Sequence, residues 1–339
     1  MRRRLLAFAT LTAAFLVSSP TPVAAAPSAI PAAPDATGRP ALFDFQSNFW
    51  LNLHHFLYVT ARASKGLDAT RPAVTSALAD TAGFGALSAA EQGEWQAAVT
   101  YYEKNVADRD VLFDTGMVAI NNRLSALGSA SSLTGASVDA QLAVVMQSVA
   151  AVYRKLWWTR HDAGNREWIA DMQRMLDIYG DSIATQEARA MRSPWQSSPV
   201  RVDVTAYANW AGAYTSNKPA HITVASAIAS NQGGQGFEIL FHEVLHTMAY
   251  PLLYGLDSAF KAAGKPMPRD ATHPFIFYTA GALTARAVPG HVQYGEKNGI
   301  WTRVPDYRKT YPLLQETWQP YLDGKTSFHE ALQRYADSQ

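Results

Sequence analysis

The chain has 339 residues, 48% of them hydrophobic and 17% charged, which is enough apolar material for a large core and too little charge for a disordered protein. Lys and Arg total 29 against 28 for Asp and Glu, so there is no basic excess to neutralise a phosphate backbone, and nucleic acid is not an expected partner. The absence of Cys excludes disulfides, thiolate metal sites and a cysteine nucleophile, so any metal must sit on His, Asp or Glu.

Arg2 to Arg4 precede an apolar run from Leu5 to Val17, the pattern of a secretory signal. That run is too short to span a bilayer. Val23 and Ala25 have the small-residue spacing of a cleavage site, so residues 1–25 are expected to be removed. No later stretch reads as a membrane span, which predicts a protein without stable membrane insertion, exported to the periplasm or the medium. Export without Cys fits a bacterium. Residues 26–40 are rich in Ala and Pro and read as a flexible leader.

From Ala41 the large apolar residues Phe43, Phe45, Phe49, Trp50, Leu53, Phe56 and Leu57 recur at helical spacing. Asp44, Asn48, Asn52 and His55 then form a polar stripe on the same helix, read first as an internal network and second as a cleft lining. Ser88 with Glu91 is a capping box that starts a helix through Trp95 and Tyr102. A Gly/Ser/Thr-rich break at 127–135 precedes a helix over about 138–158. A further break is expected at Gly164, with helix resuming over about 166–179. Arg160, His161, Asp162, Asn165 and Arg166 among three Trp residues read as a structural polar knot. Residues 41–198 are thus a mainly helical part, and 199–339 a second part of one unit.

Near Pro199 the period changes. Val200, Val202 and Val204 alternate with polar residues, a half-buried strand. The turn cluster Ser216 to Pro219 leads to a second strand over 221–225. Gln232 to Gly236 then opens a helix from about Phe237 to Tyr250; without the lysine of a phosphate loop, it reads as a helix entry.

This helix carries His242-Glu243-Val244-Leu245-His246, the H-E-x-x-H pattern. At about 3.6 residues per turn, both imidazoles project from one face and can reach one tetrahedral zinc ion. Glu243 stands beside them as a general base for a zinc-bound water. Phe237, Leu240, Phe241, Leu245 and Met248 supply the apolar surface that anchors a rigid ligand pair.

Over about 200–288 the chain resembles the zincin metallopeptidases, in which a cleft-edge strand runs into the H-E-x-x-H helix. The resemblance implies a zincin-like, predominantly helical α+β fold, with a small sheet whose edge strand precedes that helix. It also implies one zinc ion and a peptide or protein substrate. Metzincins place glycine and a third histidine where this chain has Ala249 and Leu252, so that subclass is excluded. Gluzincin-like members carry a glutamate on a second helix, but no Glu lies between Glu243 and Glu296. His273, at the start of an apolar helical stretch, is the expected third ligand, with Asp270, His291 and Glu296 as rivals. Tyr278 and Tyr294, or else His291, are the candidate donors to a developing oxyanion. The expected function is an exported zinc metallopeptidase. The alternatives are a secreted binding protein on the same frame and a zinc hydrolase of cell-wall amide bonds.

Overall fold

A computed structural model describes residues 41–339 except 69, 81, 82 and 218, so the expected signal peptide and leader lie outside the described residues. The chain enters as a strand, β1 (Phe43–Gln46), where helical spacing was expected from Phe43 onward. Phe43 and Phe45 have the period of a strand, and β1 pairs in parallel with Val200 to Asp203. The helix starts only at Asn48, whose side chain accepts the Leu51 N–H at 3.1 Å. From there α1 (Phe49–Ser64) is buried on nearly every side.

The helices α2 (Pro72–Ala79), α3 (Ala89–Asn105) and α4 (Thr115–Ala126) follow. The Ser88 capping box is present, with Ser88 N donating to Glu91 Oε2 at 2.8 Å and Glu91 N to Ser88 Oγ at 3.3 Å. Next, α5 (Ala140–Tyr153), α6 (Thr159–Met175) and α7 (Asp181–Met191) form one continuous helical run, joined by π-turns at Arg154–Trp158 and Leu176–Gly180. Gly164 therefore does not break the helix. It sits on the exposed face, where glycine costs about 1 kcal/mol relative to alanine. His161, Asn165 and Trp168 beside it are buried and hydrogen-bonded, and this packing outweighs that cost.

The strands β2 (Val200–Thr205), β3 (Ala213–Asn217) and β4 (Ala220–Ala225) complete a sheet of order β1-β2-β4-β3. β1, β2 and β4 run parallel, and β3 is antiparallel to β4. The expected strands are β2 and β4. β3 was not anticipated, and the turn cluster falls at the β3–β4 connection. The edge strand before the H-E-x-x-H helix is thus β3, with β4 between them.

Alternation along the strands separates two cores. Val200, Val202, Val204, Ala213, Ile222 and Val224 join one hydrophobic cluster with Phe241 and Leu245. Tyr214, Ala225 and the residues 206–208 join the other with α1 and α3. Because each core draws on both halves of the sequence, no boundary falls at 199, and the described residues belong to one compact unit.

The remaining helices are α8 (Gly233–Met248), α9 (Tyr250–Ala262), α10 (Thr272–Ala287), α11 (Tyr294–Lys297), α12 (Ile300–Arg303), α13 (Pro305–Thr317), α14 (Gln319–Leu322) and α15 (Phe328–Asp337). The architecture is a predominantly helical α+β fold around a small mixed sheet. α8 packs against the sheet on one side and α10 on another. No helix among the described residues is long and apolar enough to cross a membrane.

Candidate metal centre

The H-E-x-x-H segment lies in the middle of α8, which its apolar face fixes in the core. Phe237, Leu240, Phe241, Val244 and Leu245 are fully buried. At its entry, a side chain on Gly236 would have its Cβ 2.1 Å from the Asn231 carbonyl oxygen, so only glycine permits this tight start.

One turn apart, His242 and His246 bring their Nε2 atoms to 3.3 Å. His273, in the first turn of α10, places its ring centroid 5.3 Å from that of His242 and 5.2 Å from that of His246. The candidate ligand atoms of the three all lie within 4.8 Å of one another. Among the described residues, this is the one group of three or more His, Asp or Glu with that convergence.

The electrostatics suit a cation. Burial holds the His242 imidazole well below the usual histidine range, with the nearby His246 and His273 adding to the effect. Burial likewise lowers His246, to about 3, with His273 contributing. Both rings are therefore neutral near pH 7 and keep a lone pair for a metal. His242 Nδ1, on the far side of the ring from His246, is buried without a hydrogen-bond partner, so nothing in the protein fixes this ring from behind as Tyr307 fixes His273.

His273 is oriented from behind. Its Nδ1 lies 2.8 Å from the Tyr307 hydroxyl, which in turn donates to Asp270 Oδ2 at 3.1 Å. With the Tyr307 O–H directed at Asp270, the phenol oxygen accepts from Nδ1–H, and Nε2 carries the free lone pair. Phe277, one turn further along α10, lies against the ring of His242 at 4.0 Å between centroids.

Glu243 is buried beside the histidines, and its Oε2 accepts from Thr215 Oγ1 on β3 at 2.6 Å. Thr215 also lies 2.8 Å from the Glu243 carbonyl oxygen. Burial raises the Glu243 carboxyl to about 7, while the Thr215 bond and the proximity of His273 oppose that rise.

The structure therefore brings together His242, Glu243, His246 and His273. Of the rivals, Asp270 supports His273 through Tyr307, His291 bonds Glu238 at 2.6 Å, and Glu296 accepts from Tyr311. Tyr278 is not brought to the site: its hydroxyl donates to Gln319 Oε1 at 2.8 Å. Five residues past His273 on a helix, it stands about 140° around the axis. Tyr294 lies nearer, its ring stacked on Phe277, its hydroxyl bonded to Ser230 and its proton held more tightly by burial and by the charges of Glu238 and Glu243. Thr215, Tyr307 and Phe277 were missed. The β-favouring Tyr214-Thr215 pair just before a turn cluster was the available signal for Thr215.

The other polar constellations are internal. Asp44 lies on β1 and not on α1, and bonds Gln46. Asn48 and Asn52 bond the backbone of Leu124 and Val204, and His55 bonds Tyr214 at 2.8 Å. His161 and Arg160 converge on Asp80, which the Tyr207 hydroxyl also reaches at 3.0 Å. No protein family, curated protein or solved structure matches this chain.

Proposed function

We propose that the protein is an exported zinc-dependent metallopeptidase of zincin type. The observation that carries this reading is the convergence of His242, His246 and His273, with their ligand atoms within 4.8 Å of one another, beside the buried carboxyl of Glu243. Three imidazoles match the donor set of an open catalytic zinc site, in which the fourth position is left for water or substrate. The apolar anchoring of α8 and the Tyr307–Asp270 support behind His273 supply the rigidity such a site requires. Export is supported by Arg2 to Arg4 and the apolar run from Leu5 to Val17.

A bound zinc ion supplies an acidified water and a polarised carbonyl. Glu243 takes a proton at the carboxylate oxygen that Thr215 does not hold, and afterwards gives it to the leaving amine. Thr215 fixes the other oxygen, so the carboxylate meets its proton donor in one orientation. Tyr294, whose ring lies on Phe277 beside His242 and His273, is the better-placed of the two tyrosines to donate to a developing oxyanion.

A peptide-library digestion with mass-spectrometric readout tests this reading. Cleavage by the wild-type protein that stops on chelation and in Glu243→Gln is the expected result. Metal retained without cleavage would instead indicate a binding protein, and cleavage confined to cell-wall material a hydrolase of those amide bonds.

A further inference from the structure

A second cluster of buried oxygens lies one turn before His242 on α8. Glu187 of α7 is fully buried, and neither of its carboxyl oxygens has a hydrogen-bond partner. Such a group is unsatisfied in both protonation states: ionised it lacks donors, and protonated its O–H lacks an acceptor. A second buried acid, Glu238, lies on α8, which packs against α7, and its charge adds to the rise that burial imposes on the Glu187 carboxyl. One oxygen of Glu238, Oε2, accepts from His291 Nε2 at 2.6 Å and from the Tyr294 N–H at 2.7 Å. The other converges with Gln293 over Gly281 of α10. A Cβ at Gly281 would lie 3.0 Å from Glu238 Oε1 and 2.8 Å from Gln293 Oε1. Gln293 Oε1 is itself buried without a partner, and so is Thr284 Oγ1, one turn along the same stripe of α10. α7, α8 and α10 pack against one another.

We propose that Glu187 of α7, Glu238 of α8 and the side-chain carbonyl of Gln293, at the entry to α11, form a second cation site, for a hard divalent ion of the calcium type, over Gly281 of α10. Oxygen donors without imidazole or thiolate select calcium over zinc. Two carboxylates balance one divalent charge, which makes the buried assembly neutral. Burial pushes both carboxyls above their usual range, and the proximity of Glu238 adds to the rise at Glu187, so the pair is short of positive charge. Gly281 permits the approach, because a side chain there would collide with both oxygens. An ion here ties α7 and the segment that enters α11 to the helix that carries His242 and His246, and so acts as a structural partner of the histidine centre.

The test is calcium binding to the purified protein after chelator treatment, by equilibrium dialysis together with a thermal melt. Wild type should bind about one calcium ion per chain and melt at least ~5 °C higher with it. Glu187→Gln should lose at least ~100-fold in calcium affinity, whereas His246→Ala should keep it. The second variant is Gln293→Ala, whose side chain is only part-buried, and a ~10-fold loss is expected there. A wild-type protein that binds no calcium would overturn the proposal and leave an ordered water as the partner of Glu187. Binding unchanged in Gln293→Ala and in Glu187→Gln would overturn it too, by placing the ion elsewhere. Neither result bears on zinc at the histidines, which His246→Ala removes separately.

Discussion

Among the described residues, one side chain, Thr215, hydrogen-bonds the Glu243 carboxylate, and the consequences are measurable in both residues. Glu243→Gln keeps the shape of the site and removes the base, so bound zinc should remain while kcat falls by about 10²–10⁴-fold. The carboxyl is raised to about 7, above the ordinary glutamate value, so its basic form is gained as pH rises toward neutrality. The acid limb of kcat/KM is therefore expected between about 4.5 and 7, since a bound cation beside the carboxylate pulls it down. A rate that rises toward acid would contradict this role. Thr215→Val removes a bond that favours the ionised form, so the limb should move up in pH and kcat should drop, with Thr215→Ser restoring both. Behind the third ligand, Tyr307→Phe strips the hydroxyl that orients His273 and should weaken zinc binding by about 10-fold, read by competition with a chelating dye.

Two helices and an edge strand build the site, and each is vulnerable at a definable point. The start of α8 depends on Gly236, where even a methyl group meets the Asn231 backbone at 2.1 Å. Gly236→Ala should cost on the order of 1–3 kcal/mol in urea unfolding and lower zinc retention with it, because the ligand helix is displaced as a unit. The α8 motif was legible in the sequence because ligand spacing and helical period coincide at His242 and His246. His273 was legible through the proline-marked start of α10. Thr215 was not, because β3 is a five-residue strand without a long alternating pattern, stabilised by pairing with β4. Phe43 and Phe45 fit a helical and an extended pattern equally, and only the pairing of β1 with β2, more than 150 residues away, decides between them. Gly164 misled in the opposite direction, since local propensity yields to the buried bonds of Asn165 and Trp168.

Across the whole molecule, the sheet separates a helical core beneath α1 from a second core that contains α8 and α10. The histidines lie on the second side, and β3 reaches Glu243 from the sheet through Thr215. This arrangement gives the centre one deeply buried ligand, His242, and two part-buried ones, His246 and His273. The charge-neutral, cysteine-free composition excluded several chemistries and named no substrate, because substrate contacts are a matter of geometry around the site. Everything proposed about catalysis rests on three imidazoles holding one ion. The most direct test is the metal content of purified wild-type protein beside His273→Ala, by plasma mass spectrometry after dialysis. About one zinc ion per chain in wild type, largely lost in the variant, is the predicted result. A wild-type protein that takes up no zinc even when it is supplied, or a His273→Ala protein that keeps it in full, would contradict the account.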